Sequence, residues 1–194
     1  MKIKAVVAFS IFLVAFSVNA KELKLKNESV DLKVISSTSM TAIDGNSFKA
    51  SGTKYFVVQF KDKITEQDKI DLSQNFKLLQ YLPDDAFIVR GNFNDAVNLQ
   101  SRDDRIYAVT PYVSDWRLSS DFQNMSVMDI GNIETLNVRL LPDTDAEAIA
   151  LQIKKINGIQ VILAHNRLVL VRTAKIKALE ISNIDGVEFI EIQS

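Results

Sequence analysis

Cysteine is absent from the 194 residues, which excludes disulfides, thiolate metal sites and cysteine nucleophiles. The chain holds one histidine, His165, so multi-histidine metal centres are excluded as well. Charge of one sign is not in excess: 23 Lys+Arg stand against 24 Asp+Glu, a net charge of −1. Nucleic-acid binders usually carry a basic excess or patch, and this balance points away from nucleic acid as a partner. No GxSxG, GxGxxG, P-loop or metal-ligand spacing occurs. After the first twenty residues no apolar run is long enough to span a bilayer. What is present is apolar: 47% of residues, enough for a packed core and too much for global disorder.

The N-terminus reads as an export signal. Lys2 and Lys4 precede an apolar run from Ala5 to Val18, and Val18-Asn19-Ala20 closes it before Lys21. This is the order of a secretory signal peptide cleaved after Ala20. Residues 1–20 are therefore expected to be removed, leaving an extracytoplasmic (periplasmic or secreted) chain with no membrane span. Losing two lysines takes its net charge to −3. Residues 21–52, rich in Ser, Thr, Lys and Asn, are expected to form an irregular leader.

Two stretches then repeat one order of elements. In residues 53–112, Lys54–Phe60 reads as a strand rich in aromatic and β-branched residues. Thr65 is the expected N-cap of a helix ending near Asn75. Lys77–Leu82, a turn at Pro83-Asp84-Asp85, and Ala86–Arg90 read as two more strands. Asn94 is expected to cap a helix over Asp95–Ser101, and Arg105–Pro111 is a fourth strand. Residues 113–133 form a connector. In residues 134–194, Thr135–Leu141 alternates as a half-buried strand does. Thr144 and Glu147 have capping-box spacing. Ala146, Ile149, Ala150, Ile153 and Ile156 form an apolar stripe at helical spacing, with Gly158 expected as the C′ residue of the helix. Ile159–Ala164 and Leu168–Arg172 flank a turn at His165-Asn166. Thr173 is expected to cap a helix over Ala174–Asn183, and Gly186–Ile192 is the last strand.

Strand–helix–strand–strand–helix–strand, twice, is the split βαβ pattern. The expected fold is thus α+β: two tandem ferredoxin-like (βαββαβ) domains behind a signal peptide. Tyr55 and Leu136 lie 81 positions apart, as do Ile106 and Val187, while Val89-Arg90 precede Val171-Arg172 by 82. Duplication with a one-residue slip accounts for these spacings.

Thr53–Thr65, Leu78–Arg90 and Ile106–Ser119, followed by Leu136–Ile149 and Ile184–Ser194, resemble in order and spacing the tandem propeptide region of bacterial subtilisin-like serine proteases. The resemblance covers roughly residues 30–194. It departs from that family in having no catalytic domain after the second unit. It implies a non-catalytic propeptide-like protein whose partner is a subtilisin-like serine protease, which it binds and inhibits or helps to fold. It also implies that the end of the last strand, Ile190, Glu191, Ile192, Gln193 and Ser194, contacts the protease cleft. Two rival readings stand beside it: an extracytoplasmic interaction module with no protease link, and the pro-region remnant of a truncated protease gene.

Nothing in the residues marks a catalyst or a cofactor. A serine-protease triad needs a histidine near a nucleophile and an orienting acid, and His165 sits in a turn with neither marked beside it. Ser37–Ala42 has the residue types that surround a subtilase serine but lacks the preceding glycine and the helix. The pairs Asp84-Asp85, Asp103-Asp104 and Asp143/Asp145 fall in turns or helix starts, where acids make local hydrogen bonds, and are expected to be solvated. The sharper signal is greasiness. Phe87-Ile88-Val89, Val161-Ile162-Leu163 and Leu168–Val171 are apolar on both faces of their strands, and Val57 and Leu141 also fall opposite inward-facing neighbours. A sheet with helices on one side needs a polar second face if that face meets water. Something should therefore cover part of each open face: the other repeat, the connector with Trp116 and Phe122, or a partner.

Overall fold

The computed structural model describes residues 21–26, 29–32, 53–122, 125 and 131–193. The expected signal segment, the Ser37–Ala42 run and Ser194 lie outside them. A short hairpin, β1 (Glu22–Lys24) and β2 (Ser29–Asp31), precedes the first unit. That unit is β3 (Thr53–Phe60), α1 (Glu66–Ser73), β4 (Lys77–Leu82), β5 (Ala86–Asn92), α2 (Phe93–Arg102) and β6 (Ile106–Pro111). Two 3-10 turns, Ser114–Arg117 and Ser120–Phe122, follow. The second unit is β7 (Ile133–Leu140), α3 (Ala146–Ile153), β8 (Ile159–His165), β9 (Leu168–Ala174), α4 (Ala178–Ser182) and β10 (Val187–Ile192). The sheets run β4-β5-β3-β6 and β10-β7-β9-β8, all antiparallel. Both follow the ferredoxin-like strand order, so the chain is two ferredoxin-like units of α+β class.

Pairing fixes the repeat register. Val57 lies opposite Ile88 and Thr110, and Asn137 lies opposite Leu170 and Glu191. The offsets are therefore 80 for the first strand, 82 for the third and 81 for the fourth. The 81-residue match of Tyr55 to Leu136 was one residue off. Tyr55 belongs to the open face and Leu136 to the core, and a slip of one residue exchanges faces in a strand.

Each unit buries one sheet face under its helices. Phe56, Val58, Phe60, Phe87, Val89 and Val109 pack with Leu72, Phe76 and Ala96. Leu136, Val138, Leu140, Val169, Val171 and Ile190 pack with Ile149, Ile153, Ala178 and Ile181. The stripe on α3 is buried as its spacing predicts, and Leu118 and Phe122 of the connector join this second core.

Local signals decide the helix starts, with three corrections. Thr65 caps α1 as expected, and Asp68 completes a capping box: Thr65 N donates to Asp68 Oδ2 at 2.8 Å, and Asp68 N to Thr65 Oγ1 at 3.2 Å. α2 opens at Phe93, a residue before the expected cap Asn94. The cap of α3 is Asp145, whose side chain accepts from Glu147 N at 3.0 Å, while Thr144 turns towards the Gly186 carbonyl. Thr173 stays in β9, its hydroxyl donating to Gly158 O at 3.0 Å, so the last helix waits until Ala178. Gly158 takes the left-handed backbone, φ +83, but it lies four residues beyond the C-cap Lys154 and so is not the C′ residue expected; the helix ends at Ile153 and a turn intervenes.

Thr65's hydroxyl and amide, aided by Arg105, hold the Asp68 carboxyl below the usual carboxylate range. A lowered folded-state pKa adds stability above the unfolded value, about 3.9, and that stability is lost as pH falls through the folded value. Asp68→Asn should therefore lower the urea midpoint at pH 7 and lose less than the parent between about pH 4 and pH 2.

Candidate functional site

The two open sheet faces have different fates. On the first sheet, Val57, Ile88, Ala86 and Ala108 point away from the helices and are essentially fully buried. Their cover is the chain itself: Leu23 and Leu32 from the N-terminal segment, Tyr112 and Trp116 after β6, and Leu141 from the second unit. The expectation that residues 21–52 are irregular thus needs correcting at its start. Leu23 and Leu25, and Val30 and Leu32, alternate with polar residues. That alternation was the sequence signal for a hairpin laid on a greasy face.

On the second sheet the open rows run across four strands. Phe189, Arg139, Leu168 and His165 form one row. Glu191, Asn137, Leu170 and Leu163 form the next, and Thr135, Arg172 and Gln160 a third. Leu163 is 49% exposed, Leu168 and Leu170 are half-buried, and Ile162, in the bulge of β8, is 51% exposed. The β10 side of this face is more polar, with Arg139 bonded to Glu191 at 3.3 Å. The β8 side is an apolar strip on an edge strand with no lysine, arginine, acid or proline. An extended partner or an apolar helix face fits such a surface.

The units are joined by buried polar contacts. The Arg117 guanidinium, 5% exposed, donates to Ser182 O and Ile184 O (2.9 Å each) and to Tyr112 O (2.7 Å). Burial pushes its pKa down and that of Tyr112 up. The Tyr112 hydroxyl donates to Glu188 O at 2.8 Å. Alongside β10, Ser119 N donates to Ile190 O at 2.9 Å. Asp143 is not solvated as expected: its side chain is 2% exposed and bonded to Arg90 at 2.7 Å. A turn aspartate gives no sequence sign of a partner 53 residues away. Two clefts flank this seam. One, of about 370 Å³, is lined by Lys54, Tyr55, Arg117 and Asp185; the other, of about 290 Å³, by Lys26, Tyr81, Trp116 and Phe189.

The remaining sequence candidates are placed as follows. Ile190 is fully buried in the second core. Glu191 and Ile192 are half-buried and paired with Asn137 and Leu136 of β7, and Gln193 N donates to Thr135 O at 2.8 Å. His165 ends β8 and is exposed, with the left-handed turn residue next at Asn166, φ +52. Asp103 pairs with Arg105 at 2.8 Å, and Arg105 also reaches Asp68 and Asp71. Asp84 and Asp85 both adopt left-handed backbone, φ +61 and +59, and bind the N-terminal segment. Among the described residues no three His, Asp or Glu side chains converge as metal ligands would.

Removing the Arg117 head group takes the donor from the buried Tyr112 and Ser182 carbonyls, each costing about 1–3 kcal/mol when unpaired, while Ile184 O keeps Val187 N at 3.2 Å. Arg117→Met should therefore destabilise the protein by about 2 kcal/mol or more in urea unfolding. Leu141→Ala, which empties the plug between the units, should cost about 2–5 kcal/mol.

Residues 24–113 match a family model described as a domain of unknown function, DUF8729. The matched stretch begins at Lys24, the last residue of β1, and ends at Val113, so it takes in β2 and the first unit but not Leu23 of the cover. No curated protein and no solved structure matches the chain.

Proposed function

We propose that this protein is a non-catalytic propeptide-like protein that binds and inhibits a subtilisin-like serine protease outside the cytoplasm. The contact surface in this reading is the open face of the second sheet. The observation that carries it is the unequal covering of the two sheets. The first hides its greasy face under its own chain, whereas the second keeps Ile162 and Leu163 exposed beside the half-buried Leu168 and Leu170. The order of motifs, shared with tandem protease propeptides, supplies the class of partner. The five terminal residues proposed for cleft contact enter this reading with one adjustment. Ile190, Glu191 and Ile192 are engaged in the sheet and the Gln193 backbone nitrogen bonds Thr135 O, so the Gln193 side chain and Ser194 are the parts assigned to the cleft, and the sheet face carries the affinity.

The test is an inhibition assay of the Lys21–Ser194 chain against a panel of subtilisin-like proteases, with calorimetric binding in parallel. Inhibition is expected. Burying one leucine is worth about 1.5–3 kcal/mol, and about 1.4 kcal/mol is tenfold in affinity. Leu163→Asp and Leu170→Asp should each weaken inhibition roughly tenfold or more. Deleting Gln193 and Ser194 should weaken it less. Absence of binding to every protease in the panel overturns the reading. Accelerated refolding of a protease without inhibition would recast the protein as a folding helper.

A further inference from the structure

The hairpin over the first sheet is held at its very start. The backbone nitrogen of Lys21 donates to the Tyr107 hydroxyl at 3.1 Å, and that hydroxyl donates to Asp31 Oδ1, also at 3.1 Å. The Lys21 side chain is bound separately. Its Nζ donates to Phe60 O (2.7 Å), Lys61 O (3.0 Å) and Asp85 Oδ2 (3.1 Å). Lys24 N donates to Asp84 Oδ2 at 3.0 Å. Lys21 is also the residue that follows the cleavage motif ending at Ala20.

We propose that Lys21 is the N-terminal residue of the mature protein and that its α-ammonium is captured by the Tyr107–Asp31 pair. Signal removal in this scheme also completes the cover over the first sheet. The chemistry favours an ammonium over an amide at this atom. An amide brings one neutral donor. An α-ammonium brings three donors and a positive charge, placed one hydroxyl away from the Asp31 carboxylate. Hydrogen bonds with a charged partner are shorter and roughly twice as strong as neutral ones, and capture of a free chain terminus is an established mode of recognition.

The cover has reason to depend on such an anchor. Its two strands have three residues each, and a two-stranded hairpin is marginal by itself in water. Beneath it, Gln59 Oε1 and Thr110 Oγ1 are buried without a hydrogen-bond partner among the described residues, a cost that a wholly apolar face would not carry. The Asp84-Asp85 turn supplies the second half of the anchor. Its two aspartates accept the left-handed backbone that such side chains tolerate, and they direct carboxylates at Lys21 Nζ and Lys24 N.

This inference rests on the export reading and not on the protease reading. The test uses three chains released without scars from a cleavable fusion: Lys21–Ser194, Lys21–Ser194 acetylated at its α-amine, and Ala20–Ser194. Each is melted with wild-type Tyr107 and with Tyr107→Phe. The free Lys21 chain should melt about 2–4 °C above the other two, and Tyr107→Phe, which removes only a hydroxyl, should erase the gap. Equal melting of all three chains, or a gap that survives Tyr107→Phe, overturns the capture. Intact-mass measurement of protein exported from cells should begin at Lys21; any other first residue overturns the processing step. Neither readout involves a protease.

Discussion

The structure turns on one constraint: a four-stranded sheet with both helices on one side has a second face, and here that face is apolar. Val57 and Ile88, at the centre of the first sheet, cannot be left in water cheaply. The chain answers from three directions at once. A hairpin comes from before the domain, two aromatic residues from just after it, and one leucine from the next domain. Because the cover is drawn from distant parts of the sequence, it ties the N-terminus, the connector and the second unit to a single surface. The same constraint is left unanswered in part on the second sheet, where Ile162 and Leu163 stay exposed.

The seam between the units is polar where the cover is greasy. Arg117 spends its charge on three carbonyls, not on a carboxylate, and so gains geometry more than attraction. A planar guanidinium with fixed donor directions can hold the end of β6 and the end of α4 at one angle. Asp143 does the complementary task from the other side, reaching Arg90 on β5. These contacts set how the second sheet's open face is presented.

Much of the architecture could be read from residue order alone. The alternation in Thr135–Leu141, the stripe on α3 and the Thr65 cap are local signals, and local signals survive folding. What was hidden was non-local. The one-residue error in matching Tyr55 to Leu136 came from aligning strands by hydrophobicity, whereas pairing shows Tyr55 on a covered face that merely looks like core. The β1–β2 hairpin leaves little trace in the sequence because its strands are only three residues long and sit in a polar stretch. Asp143 reads as solvated because aspartate in a turn usually belongs in water, and its partner lies far away in sequence. The site was legible only as surplus grease in Val161-Ile162-Leu163 and Leu168–Val171. Which of the greasy faces would stay bare depended on where the hairpin landed.

The last strand in the order of the second sheet, β8, ends the sheet without the devices by which proteins usually blunt such a margin: it has no lysine, no proline and no inward-turned charge. A bulge at Ile162 is the one exception, and at seven residues the strand is not short. At high concentration, or while the chain is only partly folded, this margin is where backbone from another molecule would first add on. A single lysine at position 162 is therefore the simplest change for keeping concentrated preparations dispersed, and it leaves the helix-side packing of Val161 and Ala164 untouched.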